Sequence, residues 1–125
     1  MKTIESAKAQ QLVAEGMLLS EEEQKHVQQE RLHELVAYAR QHSPYFAKLY
    51  ANLPEDFRLT DLPYTEKSVL LENYDEWVTD RELNLKVVLD YIGRDESRSG
   101  ELLLDKYTAL RTSGSCGNPM PMVRD

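Results

Sequence analysis

The stretch Tyr107-Thr108-Ala109-Leu110-Arg111-Thr112, followed by Ser113-Gly114-Ser115-Cys116-Gly117-Asn118-Pro119-Met120, decides how the rest of the chain is read. Tyr107 to Thr112 alternates like a strand. Thr112 to Met120 then packs two glycines, three hydroxyl residues and a proline into nine positions. Glycine permits positive φ, so successive backbone N–H groups can converge into an anion-binding concavity. Thr112, Ser113 and Ser115 add hydroxyl donors, so the loop could hold a polyphosphate without a fixed cation. An ordinary Gly/Ser/Pro hairpin turn has the same composition, and these residues alone leave both readings open. The spacing is neither that of a Walker loop, which needs Gly-Lys-Ser/Thr at its end, nor that of a dinucleotide fingerprint. Met120 to Asp125 begins a return strand. Pro121 has no amide donor and suits its start or an edge.

Upstream the pattern is helical. Residues 1–19 form an N-terminal arm: Ile4, Leu12, Val13 and Met17 to Leu19 suggest a loose helix, weakened at Gly16 by about 1 kcal/mol relative to alanine. Ser20-Glu21-Glu22-Glu23 is a capping box, and three acids suit the positive end of a helix dipole. Val27, Leu32, Leu35, Val36 and Ala39 make an apolar stripe. That helix should stop near His42, because Ser43 precedes a proline. Pro44 opens a short second helix bearing Tyr45, Phe46, Leu49 and Tyr50. Residues 52–64 read as loop with buried leucines. Thr65 is the expected cap of a third helix, Glu66 to about Trp77, with Val69, Leu70, Tyr74 and Trp77 inward. A fourth, roughly 81–92, would be capped by Asp80 or Thr79 and closed by Gly93. Residues 95–100 read as a polar surface loop. The expected fold is therefore mainly α with a small β part: about four helices, then strand, glycine loop and strand. Residues 20–125 form one unit behind the arm.

Composition bounds the function. A chain of 125 residues has the size of one domain and buries roughly two-thirds of its unfolded surface. Its net charge of -7 argues against a nucleic-acid partner, which favours a basic patch. No apolar run approaches the ~20 residues that span a bilayer, and the N-terminus does not read as a secretory signal. One cysteine excludes an internal disulfide framework and fits a reducing cytoplasm. His26 and His33, seven apart on one helix, lack the usual metal spacing and read as solvated. Cys116 has no visible base beside it, so it reads as a small side chain in the loop rather than a nucleophile. No metal site is expected.

Thr112 to Met120 resembles the phosphate loop of adenylate-forming enzymes, Ser/Thr-Ser-Gly-Ser/Thr-Thr-Gly-x-Pro. Thr112, Ser113, Gly114, Ser115, Gly117 and Pro119 match, while Cys116 stands where threonine is usual and no lysine flanks the proline. Glu30-Arg31-Leu32 through Ala39-Arg40-Gln41-His42-Ser43-Pro44-Tyr45-Phe46, then Leu62-Pro63-Tyr64-Thr65-Glu66-Lys67 and Glu72-Asn73-Tyr74, is similar in order and spacing to the start of phenylacetate–CoA ligases, in the acyl-CoA synthetase superfamily. The resemblance covers roughly residues 21–125. It corresponds to the first part of a family member, whose ribose-binding aspartate, metal-linked motif and catalytic lysine come later. It implies an N-terminal fragment of an ATP-dependent carboxylate–CoA ligase, inactive alone and without catalytic residues of its own. In the intact parent, a carboxylic acid and Mg2+-bound ATP would give acyl-adenylate and pyrophosphate, and coenzyme A would then take the acyl group. The implied ATP phosphate-binding residues are Thr112, Ser113, Gly114, Ser115, Cys116 and Gly117. An open β edge and apolar faces predict a homo-oligomer, for instance by exchange of the C-terminal strand. The competing expectation is a non-enzymatic helical interaction module whose loop is an ordinary turn.

Overall fold

The computed structural model describes residues 5–113, 117 and 119–125. Among these described residues six α-helices precede an antiparallel hairpin: α1 Ser6–Gly16, α2 Glu21–His42, α3 Pro44–Leu49, α4 Lys67–Glu72, α5 Tyr74–Trp77 and α6 Leu85–Ile92, then β1 Thr108–Arg111 and β2 Pro121–Arg124. The chain divides into two compact units. One runs to Gln41 and includes Phe46–Pro63; the other is His42–Tyr45 with Tyr64–Asp125. The expected mainly α chain with one hairpin is what forms.

In the first unit, α1 carries no buried residue, and Val13, Met17 and Leu18 are exposed. The capping box at Ser20 is built. Its hydroxyl and amide donate to Glu23 Oε2 at 2.7 and 2.8 Å, and the Glu23 amide returns to Ser20 Oγ at 3.4 Å. The Ser20 hydroxyl, then its amide, hold the Glu23 carboxyl below its ordinary range. The core is Val36, Tyr50 and Phe57, with Leu32, Phe46, Leu49, Leu53 and Leu62 against it. Leu35, expected inside, is exposed, because the apolar arc of α2 that meets the core is narrower than its sequence stripe, and Leu59, in the short 3-10 turn Leu59–Asp61, is exposed as well. His33 is a correction. It is half-buried, its ring stacked on Phe57 with centroids 4.1 Å apart, so an aromatic partner on a loop withdraws it from solvent.

The second unit is packed around Tyr74, Leu83, Val88 and Leu103. Two helix boundaries differ from expectation. The third helix does not start on a Thr65 cap: Glu66 is the N-cap, without a side-chain bond. Nor is it continuous to Trp77. At Asn73 (φ -108, ψ 25) the side-chain amide donates to the Val69 carbonyl at 2.8 Å and separates α4 from α5. Val69, expected inward, is exposed, and Tyr64 is fully exposed. The fourth helix begins at Leu85 rather than 81. Asn84 is the cap, accepting from the Val87 amide at 2.9 Å, while the Asp75 carboxylate accepts from the Leu85 amide at 2.7 Å. Gly93 occupies the C-cap but with φ -85, outside the left-handed region. Arg81 donates to the Asp75 and Val78 carbonyls at the end of α5. The polar loop at 95–100 contains a short 3-10 turn, Glu96–Arg98, in which Asp95 accepts from the Ser97 amide at 2.8 Å.

Candidate functional site

The hairpin presents the loop. Its register is Thr108↔Arg124, Ala109↔Val123, Leu110↔Met122 and Arg111↔Pro121. Alternation divides these pairs between two faces. Ala109 and Val123 pack on the Val88 core, and Pro121 on the same face is almost completely buried. Leu110 and Met122 face the other way and are exposed. Pro121 falls at the first position of β2, as its missing N–H requires.

The loop is closed one pair beyond the ladder. The Thr112 amide donates to the Met120 carbonyl at 3.0 Å, and the Met120 amide donates to Thr112 Oγ1 at 2.9 Å. Thr112 is half-buried and Met120 buried, so this neck is shielded from water. The Thr112 amide is thereby committed to the hairpin, and its hydroxyl oxygen accepts while keeping a proton to donate. Ser113 and Gly117 are exposed. Gly117 has φ +135 with open space where a Cβ would stand, so glycine is needed here for backbone conformation rather than for room. Gly114, Ser115, Cys116 and Asn118 lie outside the described residues. The sequence-predicted site is thus represented by Thr112, Ser113 and Gly117, at and above one neck.

No protein-family model matches the chain, and no curated protein or solved structure is similar to it.

A second polar cluster, missed in the sequence, anchors the start of β1. Tyr107 Oη donates to Asp80 Oδ2 at 2.7 Å, and the Glu82 amide donates to Asp80 Oδ1 at 2.9 Å. Lys106 Nζ lies 3.0 Å from Glu82 Oε2 and 3.7 Å from Asp80 Oδ2. The Glu82 amide, then the Tyr107 hydroxyl, hold the Asp80 carboxyl below the usual carboxylate range. By accepting the phenol's hydrogen bond, Asp80 raises the Tyr107 pKa, with burial adding to it. Lys106 is raised by Glu82 first and then by Asp80. The segment before it turns back at Leu103↔Tyr107, with Leu104 (φ 52) and Asp105 (φ 56) in the left-handed region. Two successive non-glycine residues there hold about 1 kcal/mol or more of strain each. Leu102-Leu103-Leu104 gives no sign of such a turn, and Asp105 is the one residue of the stretch of a type that such turns favour.

In the first unit, Gln29 Nε2 donates to the Phe57 carbonyl, and His33 Nε2 lies 3.0 Å from the same oxygen. These contacts tie a loop carbonyl to α2. Among the described residues no group of three or more His, Cys, Asp or Glu is gathered to hold a metal. No described helix is long and apolar enough to cross a membrane.

Proposed function

We propose that the chain carries the phosphate loop, with its helical scaffold, of an adenylate-forming carboxylate–CoA ligase. The observation that supports this best is the closed neck: Thr112 and Met120 bond each other, with Ser113 and Gly117 exposed beyond them, at the end of a hairpin whose other end is fixed to α6 and Asp80. A loop fixed at its base keeps its donors oriented, which is what stabilisation of developing charge on a leaving pyrophosphate requires. Ser113 and Gly117 fit a polyphosphate in being accessible and uncharged. ATP would bring Mg2+ with it, and coenzyme A would accept the acyl group in the second step. In this proposal the substrates are a small carboxylic acid, ATP and CoA, the compartment is the cytoplasm, and neither nucleic acid nor membrane is a partner. The chain of residues 1–125 would bind pyrophosphate but turn over no acid.

The test is an amide-detected NMR titration of the 125-residue chain with inorganic pyrophosphate and with Mg-ATP. Saturable shifts concentrated at residues 112–120 are expected. Shifts scattered over lysines and arginines elsewhere, or none at all, overturn the reading.

A second reading has its own observation. Val13, Met17 and Leu18 on and after α1 are 65%, 78% and 88% exposed, an apolar strip that a partner protein could cover. A non-enzymatic interaction module would show broadening at residues 6–19 on adding its partner and no response to pyrophosphate.

A further inference from the structure

β1 has two edges, and the ladder with β2 uses one of them. The Thr112 amide bonds the Met120 carbonyl, so that pair faces inward. Alternation along an antiparallel ladder then turns the amides and carbonyls of Thr108 and Leu110 toward β2, and those of Ala109 and Arg111 away from it. Two observations agree with this assignment. Pro121, opposite Arg111, has no N–H to give to a ladder. Tyr107, the preceding outward position, spends its amide and carbonyl on Leu103 at 2.9 and 2.8 Å. Among the described residues the sheet has two strands, and no backbone group outside the ladder bonds Ala109 or Arg111. The outer edge of β1 therefore presents the amides and carbonyls of these two residues unpaired. The outer edge of β2 is poorer, because Pro121 removes one of its donors.

This edge is complementary to itself in one register. With Leu110 opposite the second copy's Leu110, Ala109 of each copy meets Arg111 of the other, and every outward amide finds a carbonyl. Sliding by two residues one way sets Arg111 against Arg111, like charges directly opposite. Sliding the other way sets Arg111 against Tyr107, whose groups Leu103 already holds. A parallel pairing in register again brings Arg111 beside itself. We propose that the outer edge of β1 pairs with the same edge of a second copy, antiparallel about a two-fold axis at Leu110, giving a four-stranded sheet in the order β2-β1-β1-β2. Leu110 and Met122, 53% and 51% exposed on the face turned from the core, then join their counterparts in one apolar strip, with Thr108 opposite Thr112 at each flank. Pairing stops at two copies, because both β1 edges are used and Pro121 blunts the edges that remain. So short a strand makes a weak, concentration-dependent dimer. The pairing needs no phosphate ligand and stands or falls apart from the phosphate-loop reading.

Sedimentation equilibrium of the 125-residue chain, from micromolar to millimolar concentration, is expected to show a reversible monomer–dimer step. Isotope-filtered NMR on mixed labelled and unlabelled chains is expected to give Leu110–Leu110 methyl contacts between copies, with the Ala109 and Arg111 amides shifting as concentration rises. Arg111→Pro removes an outward amide that the β1–β2 ladder does not use. By symmetry it deletes half of the bonds between copies, and dimerisation weakens by at least about tenfold. Arg111→Gln keeps that amide and stays within about threefold of the unaltered chain. Slow exchange of the Leu110 and Thr112 amides reports that the hairpin is intact in each variant. If proline loosens it, the contacts between copies of the unaltered chain decide. A chain that stays monomeric at millimolar concentration overturns the proposal. So do contacts between copies at Val13, Met17 and Leu18, or contacts from Ala109 of one copy to Val123 of another, which exchange of the C-terminal strand would give. Undiminished dimerisation of Arg111→Pro with an intact hairpin overturns it as well.

Discussion

Replacing Tyr107 by phenylalanine tests what fixes the hairpin to its scaffold. The change deletes one hydroxyl, which donates to Asp80 Oδ2 at 2.7 Å, and leaves the ring among the residues packed on the Val88 core. A hydrogen bond to a carboxylate contributes about 1.5–3 kcal/mol when enclosed. The Asp80 side chain is 23% exposed, so water replaces part of what is lost, and the lower end, about 1–1.5 kcal/mol, is expected. Asp80→Ala also frees the Glu82 amide and the Lys106 ammonium, so its loss is larger, about 2–3 kcal/mol. The double variant should lose less than the sum, because both changes break one shared bond. Urea denaturation followed by tyrosine and tryptophan fluorescence supplies the four free energies. The pH arm is independent. Asp80 is held below its ordinary range, so the folded chain binds fewer protons than the unfolded one just below an unfolded value of about 3.9. Its contribution is full above that value and is lost as pH falls through the folded pKa. Tyr107 is raised, so its contribution is full below an unfolded value of about 10 and is lost as pH rises through the folded pKa. Tyr107→Phe should therefore remove the alkaline limb that Tyr107 contributes and reduce only part of the acid limb, since the Glu82 amide still holds Asp80 low. A coupling energy indistinguishable from zero, with an unchanged acid limb, would mean that the phenol is simply solvated and that β1 is held by packing alone.

Val88→Ala, at the fully buried centre of the same core, removes the equivalent of two methylenes and leaves a void; a loss of about 2–3 kcal/mol is expected, read as a lower urea midpoint with an unchanged slope. Thr112→Val keeps the shape but removes the acceptor of the Met120 amide, costing about 1–2 kcal/mol locally, and hydrogen exchange at Met120 should accelerate while exchange in α6 does not. Gly117→Ala has room for its methyl but not the backbone conformation, so the hairpin should lose about 1 kcal/mol, visible as faster exchange in β2. Leu110→Lys, on the exposed face beside Met122, should leave the unfolding midpoint unchanged and weaken the homo-oligomer expected from the open β edge and apolar faces, measured by sedimentation velocity; a chain that sediments as a monomer before the substitution removes the basis for that expectation.

Local chemistry made part of this molecule legible before any coordinates. Ser20 and Glu23 specify a helix start because both partners lie within four residues. Pro44 marks the α2–α3 boundary because a proline restrains the residue before it. The hairpin was readable from its alternation and from Pro121, whose missing donor suits a strand start. The glycine loop was readable as a loop, and Gly117 at positive φ is what its glycine content anticipates.

What only the tertiary structure decided lies in contacts between residues distant in sequence or in competition between near-equal local choices. Asp80 looked like a helix cap, but Tyr107, 27 positions on, takes its carboxylate, and Asn84 caps α6 instead. Asn73 adds a side-chain bond to the Val69 carbonyl that its own amide also reaches, and the helix is interrupted there. His33 left solvent because Phe57 arrived to stack on it. Leu104 and Asp105 adopt left-handed conformations that their side chains disfavour, because the Leu103–Tyr107 pairing across them is satisfied and Leu103 is buried. The sequence by itself determined which segments are helices and that a hairpin carries an uncharged loop. The fold decided how that loop is closed, through Thr112 and Met120, and left Arg111 exposed beside it, since only the strand register sets which residue stands at the neck.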